Sequence, residues 1–137
     1  MQLHDPRDYK IVVAEDDEAV LDLVRTRLML AGYDTHYARD GAEALKVIAS
    51  CRPSAIILDV NMPEMDGFTV LKTLKKQSAT MLIPVMMLTA RNAPQDVERA
   101  ISLGASDFLV KPFNDQAFLM RVARLVRVRL SGDTVKV

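Results

Sequence analysis

The chain has 137 residues, which is enough for one domain with a substantial hydrophobic core. Half of its residues are hydrophobic and 26% are charged, a composition typical of globular domains that excludes an intrinsically disordered chain. The 18 basic residues equal the 18 acidic ones, so no net charge attracts nucleic acid or an anionic membrane.

After a polar segment at residues 1–9, which we predict to be a flexible arm, two kinds of segment alternate along the chain. Short apolar runs predict strands, which in chain order cover residues 10–14, 35–38, 55–58, 84–88 and 108–110. Each run is followed by apolar residues at helical spacing. In chain order these stripes are Val20, Val24, Leu28 and Ala31; Ala44, Leu45 and Ile48; Phe68, Leu71 and Leu74; Val97, Ala100 and Ile101; and Phe118, Val122, Leu125 and Val126.

Capping residues mark several ends of the predicted helices. Gly32 and Gly104 follow the first and fourth stripes, where glycine commonly ends a helix in the left-handed conformation. Asp40 and Glu43 resemble a capping box at the start of helix 2. Asn114 is a typical N-cap for helix 5.

Five strand–helix units with mostly apolar strands predict an α/β domain in which helices cover both faces of a parallel sheet. Right-handed crossovers in a chain of this length favour the doubly wound, flavodoxin-like strand order 2-1-3-4-5. We predict that this domain spans residues 10–130 and that residues 131–137 form a tail or the start of a linker. Ligands of such folds bind beyond the carboxyl ends of the strands, at the switch point between strands 1 and 3.

Polar side chains lie at that edge of the predicted sheet. Glu15 and Asp16 follow strand 1, Asp59 follows strand 3, Thr89 follows strand 4 and Lys111 follows strand 5. Because strands 1, 3, 4 and 5 are neighbours in the predicted order, we expect these groups to converge on one pocket. Clustered carboxylates raise one another's pKa unless a cation is present. Lys111 supplies one positive charge, and Mg²⁺ is the cation that best fits carboxylate, water and phosphate ligands.

The same groups are suited to phosphoryl transfer, which needs an in-line nucleophile and positive charge around the equatorial oxygens. Asp59 could attack, while Mg²⁺, Lys111 and the Thr89 hydroxyl hold the phosphoryl oxygens, and the product would be an aspartyl phosphate. Taken singly, each feature has an ordinary structural explanation, since acidic runs such as EDDE often begin helices. Their joint placement after four neighbouring strands favours a site.

At these residues the sequence resembles the receiver domain of bacterial two-component response regulators, over roughly residues 10–130. The family's acidic pair corresponds to Glu15 and Asp16, and its phosphoacceptor to Asp59 in LDVNMPEMDG. Its hydroxyl residue corresponds to Thr89 in MLTAR, and its lysine to Lys111 in VKPF. These two residues lie 30 and 52 positions after Asp59, which are the family's spacings.

The resemblance implies a signalling switch controlled by phosphorylation. Asp59 would accept a phosphoryl group, with Mg²⁺, from the phosphohistidine of a sensor histidine kinase or phosphotransfer protein, or from a small phosphodonor. The transfer and the later autodephosphorylation would be self-catalysed, so the protein would be a phosphoacceptor rather than a multiple-turnover enzyme.

The resemblance also implies how the metal and the lysine are held. Asp16 and Asp59 would bind Mg²⁺ directly, Glu15 would act mainly through water, and the backbone carbonyl of Asn61 would be a further ligand. A cis Lys111–Pro112 bond would fix the approach of the lysine.

Phe108 matches the family's aromatic switch position. In the family, the residue at Thr89 moves toward the phosphoryl group, and the aromatic ring turns inward and reshapes the face of helix 4, strand 5 and helix 5. Many members have tyrosine where this chain has Phe108, so a partner contact through that hydroxyl is absent here. A plain core phenylalanine is the alternative interpretation. Asn61 and Arg91 match two positions that tune the lifetime of the phosphorylated state.

The predicted helix 5 contains four arginines, Arg121, Arg124, Arg127 and Arg129. One interpretation is a buried face flanked by solvated arginines. Another is a homodimer or output-partner surface on helix 4, strand 5 and helix 5, with Asp107 pairing across to Arg121. We expect no direct nucleic acid contact, because no recognition motif accompanies the helix.

The sequence predicts a cytoplasmic domain without membrane contact. No stretch approaches the roughly 20 apolar residues of a membrane span, and residues 1–10 lack the apolar segment of a signal peptide. The single cysteine, Cys51, cannot form an internal disulfide, which agrees with a reducing compartment.

Three rival functions share parts of this pattern. A haloacid-dehalogenase-type phosphatase needs a second aspartate two residues after the nucleophile, where this chain has Asn61. A flavodoxin-like FMN carrier needs a Ser/Thr/Gly-rich phosphate loop after strand 1, where the acidic EDD would repel anions. A receiver-like protein-interaction module that works without phosphorylation stays open, although the complete set of site residues argues against it.

Overall fold

A computed structural model of the chain describes residues 5–90 and 94–130, without the side chains of residues 128–130. The strands, in chain order, are β1 (Lys10–Ala14), β2 (Asp34–Ala38), β3 (Ala55–Asp59), β4 (Val85–Thr89) and β5 (Asp107–Val110). The helices are α1 (Glu18–Leu30), α2 (Gly41–Cys51), α3 (Gly67–Lys75), α4 (Pro94–Ser102) and α5 (Asp115–Leu130). The five predicted strand–helix units are therefore confirmed.

All strand pairs are parallel, and the strand order is β2-β1-β3-β4-β5. This confirms the α/β fold and the doubly wound arrangement predicted from the sequence. The chain leaves β1 toward β2 on one side and then crosses to β3 on the other side. The switch point therefore lies between β1 and β3, as the prediction requires.

Alternate strand residues face two hydrophobic cores, one on each side of the sheet. Val12, Ile56 and Met87 pack on the side that α2, α3 and α4 cover. Ile11 and Ile57 pack on the other side, which α1 and α5 cover. Because both faces are buried, the central strands are continuous apolar runs instead of alternating ones.

Polar side chains cap the N-terminal turns of two helices, α3 and α5. Asp66 Oδ1 accepts a hydrogen bond from Thr69 N at the start of α3, and Asn114 Oδ1 accepts one from Ala117 N at the start of α5. Such contacts satisfy backbone donors that the first turn leaves free. The prediction that Asn114 caps helix 5 is therefore confirmed.

The start of α2 departs in detail from the predicted capping box. Asp40 Oδ1 accepts a hydrogen bond from Glu43 N, as expected, but Glu43 Oε1 accepts its bond from Arg39 N. Gly32, which follows the C-terminal end of α1, has a φ of 97°. This is the left-handed conformation in which glycine commonly caps a helix.

Part of the predicted N-terminal arm has regular structure. Pro6–Asp8 form a 3-10 helix that the Asp5 side chain caps, and Tyr9 is buried. The 3-10 helix packs on the α1–β2 connection, which contains Gly32. A Cβ atom placed on Gly32 would lie only 3.3 Å from Pro6 Cβ. Residues 5–9 therefore differ from the loose segment that their polarity predicted, while residues 1–4 and the tail at 131–137 lie outside the described residues.

Within the described parts of the chain, no helix is long and apolar enough to cross a membrane.

Candidate functional site

The predicted site residues come together at the carboxyl edge of the sheet. Lys111 Nζ lies 2.9 Å from Glu15 Oε1 and 3.2 Å from Asp59 Oδ1. Three separate elements therefore contribute to one contact: the loop after β1, the last residue of β3 and the loop after β5. The convergence that we inferred from strand order is present in the structure.

Burial divides the acidic residues into two kinds. The exposed fraction is 0% for Glu15 and 3% for Asp59, whereas Asp16 is exposed. The Glu15 backbone N–H donates to the Ala38 carbonyl, which continues the β1–β2 pairing one residue beyond β1 and draws Glu15 inward. Asp16 comes after this last sheet-like contact, and the site is open to solvent on its side.

The three carboxylates form a cluster that could hold a metal ion. One carboxylate oxygen from each of Glu15, Asp16 and Asp59 lies within 4.8 Å of the other two. All of these donors are hard anionic oxygens, and the exposed Asp16 leaves room for water ligands. Mg²⁺ favours this combination of one or two carboxylates with water.

Burial and neighbouring charge raise the pKa of Asp59 from 3.8 to about 7. The largest cause is removal of the carboxylate from water, and the second is the charge of Glu15. Lys111 acts in the opposite direction but does not outweigh them. The clustered carboxylates therefore carry more negative charge than the one lysine compensates.

Lys111 responds to the same surroundings. Burial alone would lower its pKa, but the hydrogen bond to Glu15 and the charges of Asp59 and Glu15 outweigh burial and raise it. Lys111 is therefore held in its charged form beside Asp59.

The connection after β5 fixes the position of this lysine. The Lys111–Pro112 bond is cis, as the family resemblance implies. Lys111 N donates a 2.7 Å hydrogen bond to the Thr89 carbonyl, which extends the β4–β5 pairing by one residue. Thr89 itself is fully buried at the end of β4, and its strand neighbour Leu88 pairs with Asp59.

Gly67 also supports the site, although it was not among the residues predicted from the sequence. The loop after β3 folds back on its strand, and Gly67 N donates a 2.9 Å hydrogen bond to the Val60 carbonyl. A Cβ on Gly67 would lie 2.2 Å from the backbone oxygen of Asp59 and 2.9 Å from Met87 Cε. The Asp66-Gly67 pair could have indicated this, because glycine is used where backbones approach closely.

The remaining predicted residues are placed as follows. Phe108 is half-buried and packs on the core that α2, α3 and α4 cover, which fits an aromatic residue near the helix 4 face. Asn61 follows β3 by two residues, and its side chain is exposed. Arg91 lies outside the described residues.

The predicted pairing of Asp107 across to Arg121 is present within a single molecule. Arg121 Nη1 donates a 2.6 Å hydrogen bond to Asp107 Oδ1, which also accepts one from Phe108 N. The pair therefore links α5 to the edge strand β5 of its own chain, and it does not require a second copy.

Comparisons with known proteins agree on one family. The family model described as "Response regulator receiver domain" matches residues 11–123. The DNA-binding dual master transcriptional regulator RpaA of Synechocystis sp. is 41% identical over 118 residues, which cover 86% of this chain and 49% of that protein. The chain thus spans about half the length of the curated relatives it matches.

Solved structures show the same likeness. Vibrio cholerae chemotaxis protein CheY4 superposes with a TM-score of 0.82 at 36% identity, over 85% of this chain and 98% of that one. The receiver domain of the sensor histidine kinase PA1611 from Pseudomonas aeruginosa has a TM-score of 0.80 at 25% identity, over 86% and 97% of the two chains. That structure contains a magnesium ion coordinated in the active site cleft.

Proposed function

This chain belongs to the response regulator receiver domain family of two-component signalling, and on that premise we propose that phosphorylation of Asp59 controls it as a switch. The observation that carries the proposal is the contact of the nearly fully buried Asp59 with Lys111, beside two further carboxylates. A buried nucleophile, a fixed cation and a cluster of metal-binding oxygens are the components that phosphoryl transfer requires.

The group transfer uses the carboxylate of Asp59 as the nucleophile. One of its oxygens attacks the phosphorus of a phosphohistidine, on a sensor histidine kinase or a phosphotransfer protein, and an O–P bond forms while the P–N bond breaks. The imidazole leaves with the electron pair and can take up a proton from solvent. With a small donor such as acetyl phosphate, the P–O bond breaks and acetate leaves.

Lys111 and Thr89 hold the group that arrives. The Lys111 ammonium lies 3.2 Å from Asp59 Oδ1, so a short movement places it against a phosphoryl oxygen on that carboxylate. Thr89 ends β4, next to β3, and its hydroxyl can donate to a second phosphoryl oxygen. Both contacts favour the charge that spreads over the transferred group.

Asp16 and Asp59 would bind Mg²⁺ directly, Glu15 through water and Asn61 through its backbone carbonyl. The proximity of the three carboxylates and the excess negative charge of the site support this assignment. Bound Mg²⁺ would supply positive charge that neutralises the phosphoryl oxygens and brings them close to the acidic cluster. The Asn61 and Arg91 side chains would tune how quickly water removes the phosphoryl group again.

Signal output would use the face formed by α4, β5 and α5. When Thr89 moves toward the phosphoryl group, Phe108 can turn inward beside it and change the shape of this face. Ile101 on α4 and Met120 on α5 are 64% and 54% exposed, although Ile101 belongs to the apolar stripe that predicted helix 4. Exposed apolar residues flanked by the exposed Arg124 suit a second copy or an output domain. We propose a cytoplasmic role without direct nucleic acid contact by this domain.

The experiment that tests this function is intact-mass analysis after incubation with acetyl phosphate and Mg²⁺. The proposal predicts one added phosphoryl group on the wild type and none without Mg²⁺. Thr69→Ala changes an exposed residue at the start of α3 and should be phosphorylated like the wild type. Folded wild type that gains no phosphoryl group would favour a module that binds its partners without phosphorylation.

A further inference from the structure

A cation–π contact joins α4 to α3. The guanidinium carbon of Arg99 lies 4.4 Å from the centre of the Phe68 ring. Phe68 is 3% exposed while Arg99 is exposed, so the guanidinium covers the ring from the solvent side. Among the described residues, Arg99 makes no ion pair that would hold its side chain elsewhere.

α4 buries less of its own surface than α3 does. α3 and α4 have nine residues each, but α3 buries five of them and α4 buries only Ala100. Ile101, one residue later on α4, is 64% exposed. A helix with so little buried surface is held weakly, and one side-chain contact can therefore change its preferred position.

Both partners of the contact are joined to the phosphorylation site. Phe68 directly follows Gly67, whose Cα packs against the Asp59 backbone oxygen. On the other side, α4 begins at Pro94, five residues after Thr89 at the end of β4. Thr89 and α4 are therefore close along the chain, so a movement of Thr89 toward a phosphoryl group can shift α4 relative to Phe68.

We propose that the Arg99–Phe68 contact is a latch that stabilises the position of α4 described here against the shift that phosphorylation would bring. The latch rests on the proposed function, since it regulates the same switch. When α4 shifts, Arg99 leaves the Phe68 ring. The contact therefore stabilises the original position of α4 and not the shifted one. A contact with this difference biases the equilibrium against the switched arrangement.

The expected effect is modest and measurable. A cation–π contact at a solvent-accessible position, when removed, should change the equilibrium about two- to fivefold. By linkage, any ligand that prefers the switched arrangement should bind more tightly by the same factor. Beryllium fluoride with Mg²⁺ is a suitable probe, because it mimics a phosphoryl group on a carboxylate and is not hydrolysed.

The test measures the affinity for beryllium fluoride at saturating Mg²⁺ by isothermal titration calorimetry. Arg99→Ala and, independently, Phe68→Leu should each bind about two- to fivefold more tightly than the wild type. Arg99→Lys retains a cation over the ring and should stay near the wild-type affinity. Lys46→Met removes an exposed cation from α2, away from the α4–β5–α5 face and without touching an aromatic ring, and it should also bind like the wild type.

The outcomes separate the latch from the function on which it rests. A wild type that does not bind beryllium fluoride overturns both. A wild type that binds, with Arg99→Ala and Phe68→Leu unchanged or weaker, overturns the latch alone. A loss of thermal stability in these variants without a gain in affinity means that the contact is only structural, and this too overturns the latch.

Discussion

Lys111 Nζ lies 3.2 Å from Asp59 Oδ1, although 52 residues separate the two in sequence and β4 lies between their strands. The same ammonium also contacts Glu15, so one cation serves two buried carboxylates. Without a bound metal ion the site would therefore be short of positive charge, and several measurable consequences follow from that imbalance.

Asp59→Asn should stabilise the metal-free protein at neutral and alkaline pH. The pKa of Asp59 is about 7 in the folded chain, whereas its unperturbed value is 3.8. Between these two pH values the folded state keeps the proton on Asp59, and the unfolded state has released it. Stability therefore falls as pH rises through this window. Above it, neutral asparagine should add on the order of 2 kcal/mol, or about 5 °C in melting temperature.

Thermal melting of both proteins without Mg²⁺ checks this prediction. The advantage of Asp59→Asn should be large at about pH 8 and mostly lost at about pH 5, because wild-type Asp59 is then protonated. An advantage that is independent of pH would show that removal of the Asp59 charge is not its cause.

Lys111→Met should destabilise the metal-free protein, because it leaves Glu15 and Asp59 without their cation. We expect a loss of about 1–3 kcal/mol in the free energy of unfolding. Lys46→Met, at an exposed position on α2, should change stability by less than about 0.5 kcal/mol. Urea unfolding of both variants measures the difference, and equal effects would mean that the contacts of Lys111 are energetically neutral.

Mg²⁺ should stabilise the wild type, because the carboxylate cluster that would bind it exists only in the folded chain. At a concentration about 100 times its dissociation constant, a ligand adds about 2.7 kcal/mol. Asp16→Asn removes one of the three carboxylates and should reduce the Mg²⁺-dependent rise in melting temperature. Asp22→Asn, an exposed change on α1, should leave that rise intact. An equal rise in all three proteins would point to a metal site elsewhere.

Gly67→Ala should be strongly destabilising, since its Cβ would lie 2.2 Å from the Asp59 backbone oxygen. Relief of that clash must shift β3 or the start of α3, at a cost of about 3 kcal/mol. The same shift displaces Asp59, so phosphorylation by acetyl phosphate should slow as well. Thr69→Ala serves as the control for both measurements. A Gly67→Ala protein that matches the stability and the phosphorylation rate of Thr69→Ala would refute the close approach of Gly67 to Asp59.

Much of the site could be predicted because strand order places strand ends together. Asp59, Thr89 and Lys111 each end or follow a recognisable apolar run, and a parallel sheet brings such positions to one edge. The fold could be predicted because apolar runs indicate strands and apolar residues at helical spacing indicate helices. Neither inference required knowledge of side-chain conformations.

Contacts that depend on three-dimensional detail were not predictable from the sequence. The pairing of Asp107 with Arg121 within one chain depends on how α5 packs against β5, which periodicity does not specify. The stacking of Arg99 on Phe68 likewise depends on the angle between two helices. Residues 5–9 looked polar and irregular, yet Tyr9 is buried there in the core on the side of α1 and α5.

The most direct test of the central claim is to locate the phosphoryl group itself. After phosphorylation with acetyl phosphate and Mg²⁺, borohydride reduction converts an aspartyl phosphate to homoserine, which peptide mass spectrometry can assign to one residue. We predict homoserine at position 59 and unmodified aspartate at position 16. Homoserine at another position, with Asp59 unmodified, would contradict the assignment of Asp59 as the phosphoacceptor.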